Sequence, residues 1–316
     1  MTLRVLVTGA SGFIGNALVP ALVKTGYQVR AASRQRANSL PGQVEWVQLP
    51  DLREAVDWSS LLANVDVVVH LAGVAHRSGV HGGAIDSINR AAVADLATAC
   101  QRHRVKRLIF MSSAGVHAGT ASKAVVSECH TPDPVTAYDR AKVAAECAVT
   151  DSGAPYTILR PVVVYGVGAK ANFALAVQLA RSSLPLPFGL LKARRSLLAI
   201  ENLILAVVVC VDSDATLNKT FLVADPEAIS VSAIFAHLRR GLGRRPCLVP
   251  IPPILLERLL RIIGRSDIWN RVGQDFVVDS TKLQKAGFRP IVSTESGLRA
   301  VGASHRANRA AAGSTE

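Results

Sequence analysis

The chain of 316 residues is 49% hydrophobic and 19% charged, which excludes a disordered protein and predicts one or two folded domains. Its 36 Lys and Arg exceed its 23 Asp and Glu, for a formal charge of +13. These basic residues are scattered in short clusters, which argues against a nucleic-acid partner and favours a phosphorylated small molecule. The five widely spaced cysteines lack a C-x-x-C pair, so we expect reduced thiols, no disulfides and no metal site.

No apolar run is long and uninterrupted enough to span a bilayer, and the first apolar stretch is too short for a signal peptide. We therefore expect a cytoplasmic protein without stable membrane insertion. Ile251 to Ile263 form an amphipathic stretch that fits either a membrane-surface helix or a core helix with Arg on its solvent-exposed face. The core interpretation is favoured because such helices are ordinary in globular domains.

Short β-branched apolar runs alternate with helical periodicity in the first half of the chain. Helices are predicted between them, for example at Asn16 to Lys24 and at Ile88 to Arg102. This alternation predicts an α/β fold with a doubly wound parallel sheet. The predicted strands are Arg4 to Val7, Gln28 to Ala32, Val44 to Val47, Asp66 to His70, Arg107 to Met111 and Tyr156 to Leu159.

The pattern changes after Pro161, where Gly, Pro and basic residues interleave with apolar helices. We predict an α/β domain over residues 1–164, whose sheet is completed by later segments such as Thr220 to Val223. Residues 165–303 are predicted to form a smaller, mostly helical substrate lobe. The small, polar and Ala-rich segment 304–316 is predicted to be a disordered tail.

A glycine-rich segment with the spacing G-x-x-G-x-x-G follows the first predicted strand and precedes the first helix. Its glycines, Gly9, Gly12 and Gly15, allow a tight turn and a close approach to a pyrophosphate, whose charge meets amides at the helix N-terminus. A purely structural turn is the alternative. The context of strand, turn and helix favours a Rossmann-type dinucleotide site, which also includes the turn residues Ser11, Phe13 and Ile14.

The end of the second strand carries Ser33 and Arg34 where an acid would hold the adenosine ribose. A missing carboxylate beside a guanidinium suits a 2′-phosphate, which favours NADP over NAD. Stacking of Arg34 on adenine is the alternative. Asp51 and Leu52 follow the third strand and are predicted to lie beside adenine.

Tyr138 and Lys142 are four residues apart on a predicted helix, so both side chains reach the same ligand. A nearby cation favours the phenolate of a tyrosine, whose ordinary pKa is about 10. Ser113 follows a strand end, where ligands of open α/β sheets bind. Its hydroxyl either bonds the substrate oxygen or caps a helix.

In these motifs the chain resembles the extended short-chain dehydrogenase/reductase family, in its NAD-dependent epimerase/dehydratase group. The resemblance implies that Ser113, Tyr138 and Lys142 form the catalytic triad and that Lys142 also holds the nicotinamide ribose. It also implies that the cofactor is contacted by Leu71, Ala72, Gly73, Asn89 and Pro161. The further motifs that carry the resemblance are His70-Leu71-Ala72-Gly73, Leu159-Arg160-Pro161, Asp279-Ser280-Thr281-Lys282 and Gly287-Phe288-x-Pro290.

The segments Val162 to Phe173, Leu184 to Gly189 and Arg194 to Leu197 are similar to bacterial UDP-hexose 4-epimerases and UDP-4-keto-sugar reductases of polysaccharide biosynthesis. That resemblance implies that Asn172 and Arg195 contact the diphosphate of a nucleotide sugar. It further implies a homodimer through the helices before and around Tyr138. The sequence departs from many relatives at His117 and in the Gly- and His-rich loop from Ala75 to Asp86.

The resulting prediction is a UDP-sugar 4-epimerase with NAD. A UDP-4-keto-sugar reductase with NADPH is the first alternative, and a non-catalytic dinucleotide-binding sensor or scaffold is the second. A dehydratase is disfavoured because Ala114-Gly115, and not an acid pair, follows Ser113. His76, His81 and His117 lack the spacing of metal ligands.

Overall fold

The computed structural model describes residues 2–37, 40–74, 85–169 and 171–313. Its strands are short and all lie between Arg4 and Ser230. They are β1 (Arg4–Thr8), β2 (Gln28–Ser33), β3 (Glu45–Gln48), β4 (Val67–His70), β5 (Arg107–Met111), β6 (Tyr156–Pro161), β7 (Val163–Tyr165), β8 (Arg194–Arg195), β9 (Leu197–Ala199), β10 (Lys219–Val223) and β11 (Ile229–Ser230).

The helices lie between these strands and fill the C-terminal part of the chain. They are α1 (Phe13–Lys24), α2 (Ser59–Leu62), α3 (Ala92–Arg102), α4 (Ala137–Asp151), α5 (Ala171–Arg181), α6 (Ile200–Asp212), α7 (Val231–Gly241), α8 (Pro253–Ile262), α9 (Ser266–Val272), α10 (Thr281–Lys285) and α11 (Thr294–Gly313). A π-helical turn over Ser87–Ala91 leads directly into α3.

A seven-stranded parallel sheet with the order β10-β6-β5-β4-β1-β2-β3 is the centre of the described structure. Its strands read as continuous β-branched and apolar runs because helices cover both faces. One face packs against α1 and α6, and the other packs against α2, α3 and α4. The predicted doubly wound α/β fold is confirmed.

The strand order reverses at β1, which pairs with β2 on one side and with β4 on the other. Connections from the carboxyl ends of β1 and β4 therefore leave in opposite directions and open a crevice between them. The glycine turn follows β1, and Leu71 to Gly73 follow β4. The topology thus brings these two predicted segments to one edge of the sheet.

A separate apolar core lies among α5, α7, α9 and α11. It is joined to the sheet by Asp225, which follows β10 and is 3% exposed. The Asp225 carboxylate accepts hydrogen bonds from Tyr165 Oη at 3.0 Å and from Asn202 Nδ2 at 2.7 Å. It also accepts one from Thr294 Oγ1 at 3.2 Å. These donors satisfy the buried carboxylate, whose loss would leave several polar groups without a partner.

Two expectations from the sequence need correction. The amphipathic stretch forms α8, but only part of its apolar surface packs against the core as predicted: Leu256 and Leu260 do so, whereas Leu255, Leu259 and Ile262 are 53%, 55% and 81% exposed. The predicted disordered tail instead continues α11 as far as Gly313, because its many alanines have a high helix propensity. Among the described residues, no helix is long and apolar enough to cross a membrane.

Candidate active site

The glycine turn is packed so closely that side chains would not fit. Gly9 has a φ of +71°, and a Cβ built there would lie 2.7 Å from the backbone nitrogen of Ala72. A Cβ on Gly15 would lie 2.5 Å from the carbonyl oxygen of Gly9. No side chain caps the N-terminus of α1, and its first turn contains no acid. The Ala10 and Gly12 amides donate to the carbonyls of Ala32 and Gly9, whereas the amides of the first turn of α1 have no intrahelical acceptor and are available to an anionic pyrophosphate.

A cavity of about 450 Å³, here called the dinucleotide cleft, lies over this turn. Most of the predicted cofactor residues line it. The predicted residues on its wall are Gly9, Ser11, Gly12, Phe13, Ser33, Arg34, Asp51, Leu52, Leu71, Ala72 and Gly73. Gly15 lies behind the wall, where it allows α1 to pack against the turn.

The far end of the dinucleotide cleft contains Ser33, Arg34 and Asp51. The Ser33 hydroxyl donates to the Gln35 carbonyl at 2.7 Å and accepts from Trp46 Nε1 at 3.0 Å. Arg53 pairs with Asp51 and lowers the pKa of that carboxyl to about 2. Both polar groups therefore already have protein partners, and Arg34 provides positive charge at this end of the cleft.

A second cavity of about 240 Å³, here called the catalytic cavity, continues the cleft. The two cavities share Leu71, Gly73 and Val74. The predicted residues that line the catalytic cavity are Ile14, Leu71, Gly73, Asn89, Ser113, Tyr138, Lys142 and Pro161. Residues from distant parts of the sequence thus meet around one space large enough for a nicotinamide and part of a sugar.

Local sequence explains how α4 presents its two predicted catalytic side chains. Thr136 Oγ1 accepts from the Asp139 amide at 3.1 Å, and the Asp139 carboxylate accepts from the Thr136 amide at 2.9 Å. This capping box fixes where the helix begins. Tyr138 and Lys142 then share one face of the first turns, with Lys142 Nζ 5.9 Å from the centroid of the Tyr138 ring.

Ser113 serves as a cap and still faces the catalytic cavity. Its Oγ accepts a hydrogen bond from the Gly115 amide at 3.1 Å at the start of a short 3-10 turn, Ala114–Val116. This contact uses an oxygen lone pair and leaves the hydroxyl proton free for another acceptor. The two interpretations of Ser113 from the sequence are therefore compatible.

Burial shifts the pKa values of the tyrosine and the lysine in opposite directions. It raises the pKa of Tyr138 to about 12, with a smaller contribution from the negative charge of Asp139. Burial lowers the pKa of Lys142 to about 8, although the charge of Glu146 opposes this change. Lys142 Nζ also donates to the Met111 carbonyl at 2.8 Å. The expected lowering of the Tyr138 pKa by Lys142 is thus outweighed by burial in the protein alone.

A buried charged network that the sequence analysis did not predict lies beneath the catalytic cavity. Arg160 Nε donates to Glu146 Oε1 at 3.0 Å, and Arg160 Nη1 contacts His117 Nε2 at 2.9 Å. The Ser112 hydroxyl donates to the same Glu146 carboxylate. Burial, followed by the charge of Arg160, lowers the pKa of His117 to about 4. His117 is therefore a neutral member of this network.

The remaining predicted residues lie elsewhere. Arg195 is 8% exposed and donates to the carbonyls of Thr120 and Gln274 at 2.7 and 3.1 Å, outside both cavities. Asn172 is in α5, but its side chain lies outside the described residues. His76 and His81 also lie outside them. No cluster of three metal-ligating side chains occurs among the residues that the structure does describe.

Several residues that line the two cavities have no predicted site role. They follow β3, β5 or β6, end β5, lie in β7 or flank the loop after β4, so their place at or near the end of a strand was the available signal. These residues are Leu49, Pro50, Val74, Ile88, Met111, Ser112, Val162 and Val164.

A family model described as the NAD dependent epimerase/dehydratase family matches residues 5–224. The chain belongs to this family. Its match covers the glycine turn, the triad and the sheet through β10. The predicted enzyme class, the extended short-chain dehydrogenase/reductase type, is confirmed, as is a nicotinamide dinucleotide as the class of cofactor.

Members of the epimerase/dehydratase family are similar to this chain over nearly its full length. The UDP-glucose 4-epimerase of Vibrio cholerae is 31% identical over 95% of this chain and 94% of its own. The N-acetyl-alpha-D-glucosaminyl-diphospho-ditrans,octacis-undecaprenol 4-epimerase of Escherichia coli O157:H7 is 25% identical over 89% of this chain and 85% of its own. The crystal structure of the UDP-glucuronic acid 4-epimerase of Bacillus cereus, solved with NAD, matches with a TM-score of 0.78 and 22% identity. The match covers 98% of this chain and 99% of that one. The last likeness shows the shared fold.

Proposed function

We propose that this protein is a UDP-sugar 4-epimerase that uses a tightly held dinucleotide. The observation that carries the proposal is that Ser113, Tyr138 and Lys142 line one cavity continuous with the dinucleotide cleft. The 31% identity to a UDP-glucose 4-epimerase over almost the whole chain supports the reaction and the carrier.

The proposed chemistry assigns one role to each residue. A bound oxidised dinucleotide, held by the glycine turn and Lys142, would supply reversible hydride transfer at C4 of the sugar, with the hydride returned to the opposite face of the 4-keto sugar. Tyr138 accepts the proton of the sugar O4 and gives it back as general acid. Ser113 donates a hydrogen bond to the same oxygen. Lys142 holds its ammonium group beside the phenol and favours the phenolate.

A net UDP-4-keto-sugar reductase with NADPH is the second candidate. It is favoured by the distal end of the dinucleotide cleft, where Ser33 offers no carboxylate to a ribose and Arg34 offers a cation. A guanidinium is well suited to a 2′-phosphate. A reductase releases its oxidised cofactor after each turnover, whereas an epimerase regenerates its cofactor within each cycle.

Identification of the nucleotide that co-purifies, together with one substrate assay, separates these candidates. We expect near-stoichiometric NAD after denaturation, and interconversion of UDP-glucose and UDP-galactose without added cofactor. An empty protein that prefers NADPH and reduces a UDP-4-keto-hexose would establish the reductase instead. Failure of both reactions, with dinucleotide still bound, would contradict both candidates.

The contacts of Asn172 and Arg195 with a diphosphate and the homodimer also belong to this proposal. Arg195 lies in the smaller lobe, where its two carbonyl partners leave the guanidinium further donors. An Arg195→Lys variant with a raised KM for UDP-sugar and unchanged dinucleotide binding would support the contact. Analytical ultracentrifugation of the whole chain tests the homodimer.

A further inference from the structure

The helix α8 presents an apolar face to the outside of the protein. Leu255, Leu259 and Ile262 are spaced i, i+4 and i+7, which places them on one side of the helix. They are 53%, 55% and 81% exposed. A neighbouring face of the helix carries Leu256 and Leu260, which pack against the core of the smaller lobe. The helix is therefore anchored by one face and leaves a second apolar face outside.

Positive charge borders this apolar face. Arg258, Arg261 and Arg265 are all exposed. Arg261 pairs with Glu257 at 2.7 Å, and Arg265 lies 3.8 Å from Asp267. From Ile251 to Arg271 the four arginines exceed the two acids, Glu257 and Asp267. The surface is thus both apolar and positively charged.

Further cations continue this surface beyond the start of the helix. Lys123 and Lys192, both exposed, line a surface cavity together with one acid, Asp275, and with Pro253, the first residue of α8. The chain as a whole carries +13. An anionic surface would therefore be attracted to this side of the protein before the apolar side chains make contact.

We propose that α8 docks the protein on the surface of an anionic phospholipid bilayer. Leu255, Leu259 and Ile262 would enter the boundary between headgroups and acyl chains, while the neighbouring arginines contact lipid phosphates. A second copy of this chain is a poorer occupant, because a two-fold contact would bring the same arginines against each other. The inference does not depend on the proposed function, since none of these side chains lines the catalytic cavity.

Vesicle co-sedimentation of the full chain tests the proposal. We expect binding to vesicles of phosphatidylglycerol and phosphatidylcholine, with much weaker binding to phosphatidylcholine alone and release at high salt. Combined Leu255→Ser, Leu259→Ser and Ile262→Ser substitutions should weaken binding at least about tenfold. Combined Arg258→Gln, Arg261→Gln and Arg265→Gln substitutions should weaken it about a hundredfold, since each basic residue near such a surface contributes roughly fivefold.

Leu184→Ser and Ile291→Ser are matched controls, because these side chains are 69% and 72% exposed outside α8 and should leave binding unchanged. Thermal unfolding of each variant separates loss of binding from loss of fold. The proposal is overturned if folded wild-type protein does not bind anionic vesicles or if the α8 variants bind them as well as wild type. It is also overturned if the wild type is a dimer that the serine variant converts to monomers.

Discussion

Glu146 lies one helical turn after Lys142, and its carboxylate forms a buried ion pair with Arg160 from the neighbouring strand β6. The side chains are 7% and 10% exposed, respectively. The same carboxylate holds Ser112, the residue before Ser113. It also raises the pKa of Lys142 against the effect of burial. One ion pair beneath the cavity therefore influences both the position and the charge of the proposed catalytic groups.

Replacing Glu146 with Gln should move the alkaline limb of the pH–rate profile to lower pH. Without the negative charge, the pKa of Lys142 falls below about 8, and the ammonium is lost earlier as pH rises. The variant should also lose about 3 kcal/mol of unfolding free energy, because Arg160 remains buried without its counter-ion. Steady-state kcat measured from pH 6 to 10 checks the first effect.

Glu257→Gln provides the matched control, because it removes a carboxylate paired with an exposed arginine on α8. Its unfolding free energy should change by less than about 1 kcal/mol, and its pH–rate profile should match wild type. A Glu146→Gln profile that superimposes on wild type would rule out electrostatic support of Lys142.

Tyr138→Phe should lower kcat by roughly a factor of 10² to 10⁴ while dinucleotide binding is retained. The substitution removes only the phenolic oxygen, and the ring remains beside Lys142. Tyr156→Phe, at the start of β6 and outside both cavities, should behave as wild type. Unchanged turnover in the Tyr138 variant would exclude proton transfer by this residue.

The stability of the dinucleotide-free protein should rise with pH between about 8 and 10.5, the folded and reference pKa values of Lys142. In that window the unfolded chain binds more protons than the folded one, so unfolding becomes less favourable as pH increases. Below about pH 8 both states are protonated and the folded state bears the full cost of burying the ammonium. Relative to Lys142→Met, wild type should gain about 3 kcal/mol across the window, measured by urea denaturation.

Arg34→Leu should shift the cofactor preference from NADP towards NAD by about tenfold or more, if Arg34 meets the 2′-phosphate with a charge-assisted hydrogen bond. Arg36→Leu is the control, because Arg36 is exposed but does not line the dinucleotide cleft. The ratio of the dissociation constants for NADP and NAD, measured by isothermal titration calorimetry for each variant, tests this prediction. Equal ratios in wild type and in the Arg34 variant would favour stacking on adenine.

Local sequence patterns determined the strands, the glycine turn and the pair Tyr138 and Lys142. These features depend on neighbours within a few residues: β-branched runs favour strands, glycine permits the φ of Gly9, and a spacing of four places two side chains on one helix face. The parallel order of the strands then followed from their alternation with helices, because parallel strands need crossover connections.

Only the tertiary structure determined which helix faces are buried and which polar side chains pair. The pattern of α8 is that of a core helix, yet one of its apolar faces remains exposed. Among the described residues, Leu256 and Leu260 pack against the core of the smaller lobe, whereas Leu259 does not. Glu146, Arg160 and His117 look like unrelated polar residues along the chain, and the packing of α4 against β6 brings them together. Periodicity specifies which side chains share a face, whereas burial and pairing depend on segments far apart in sequence.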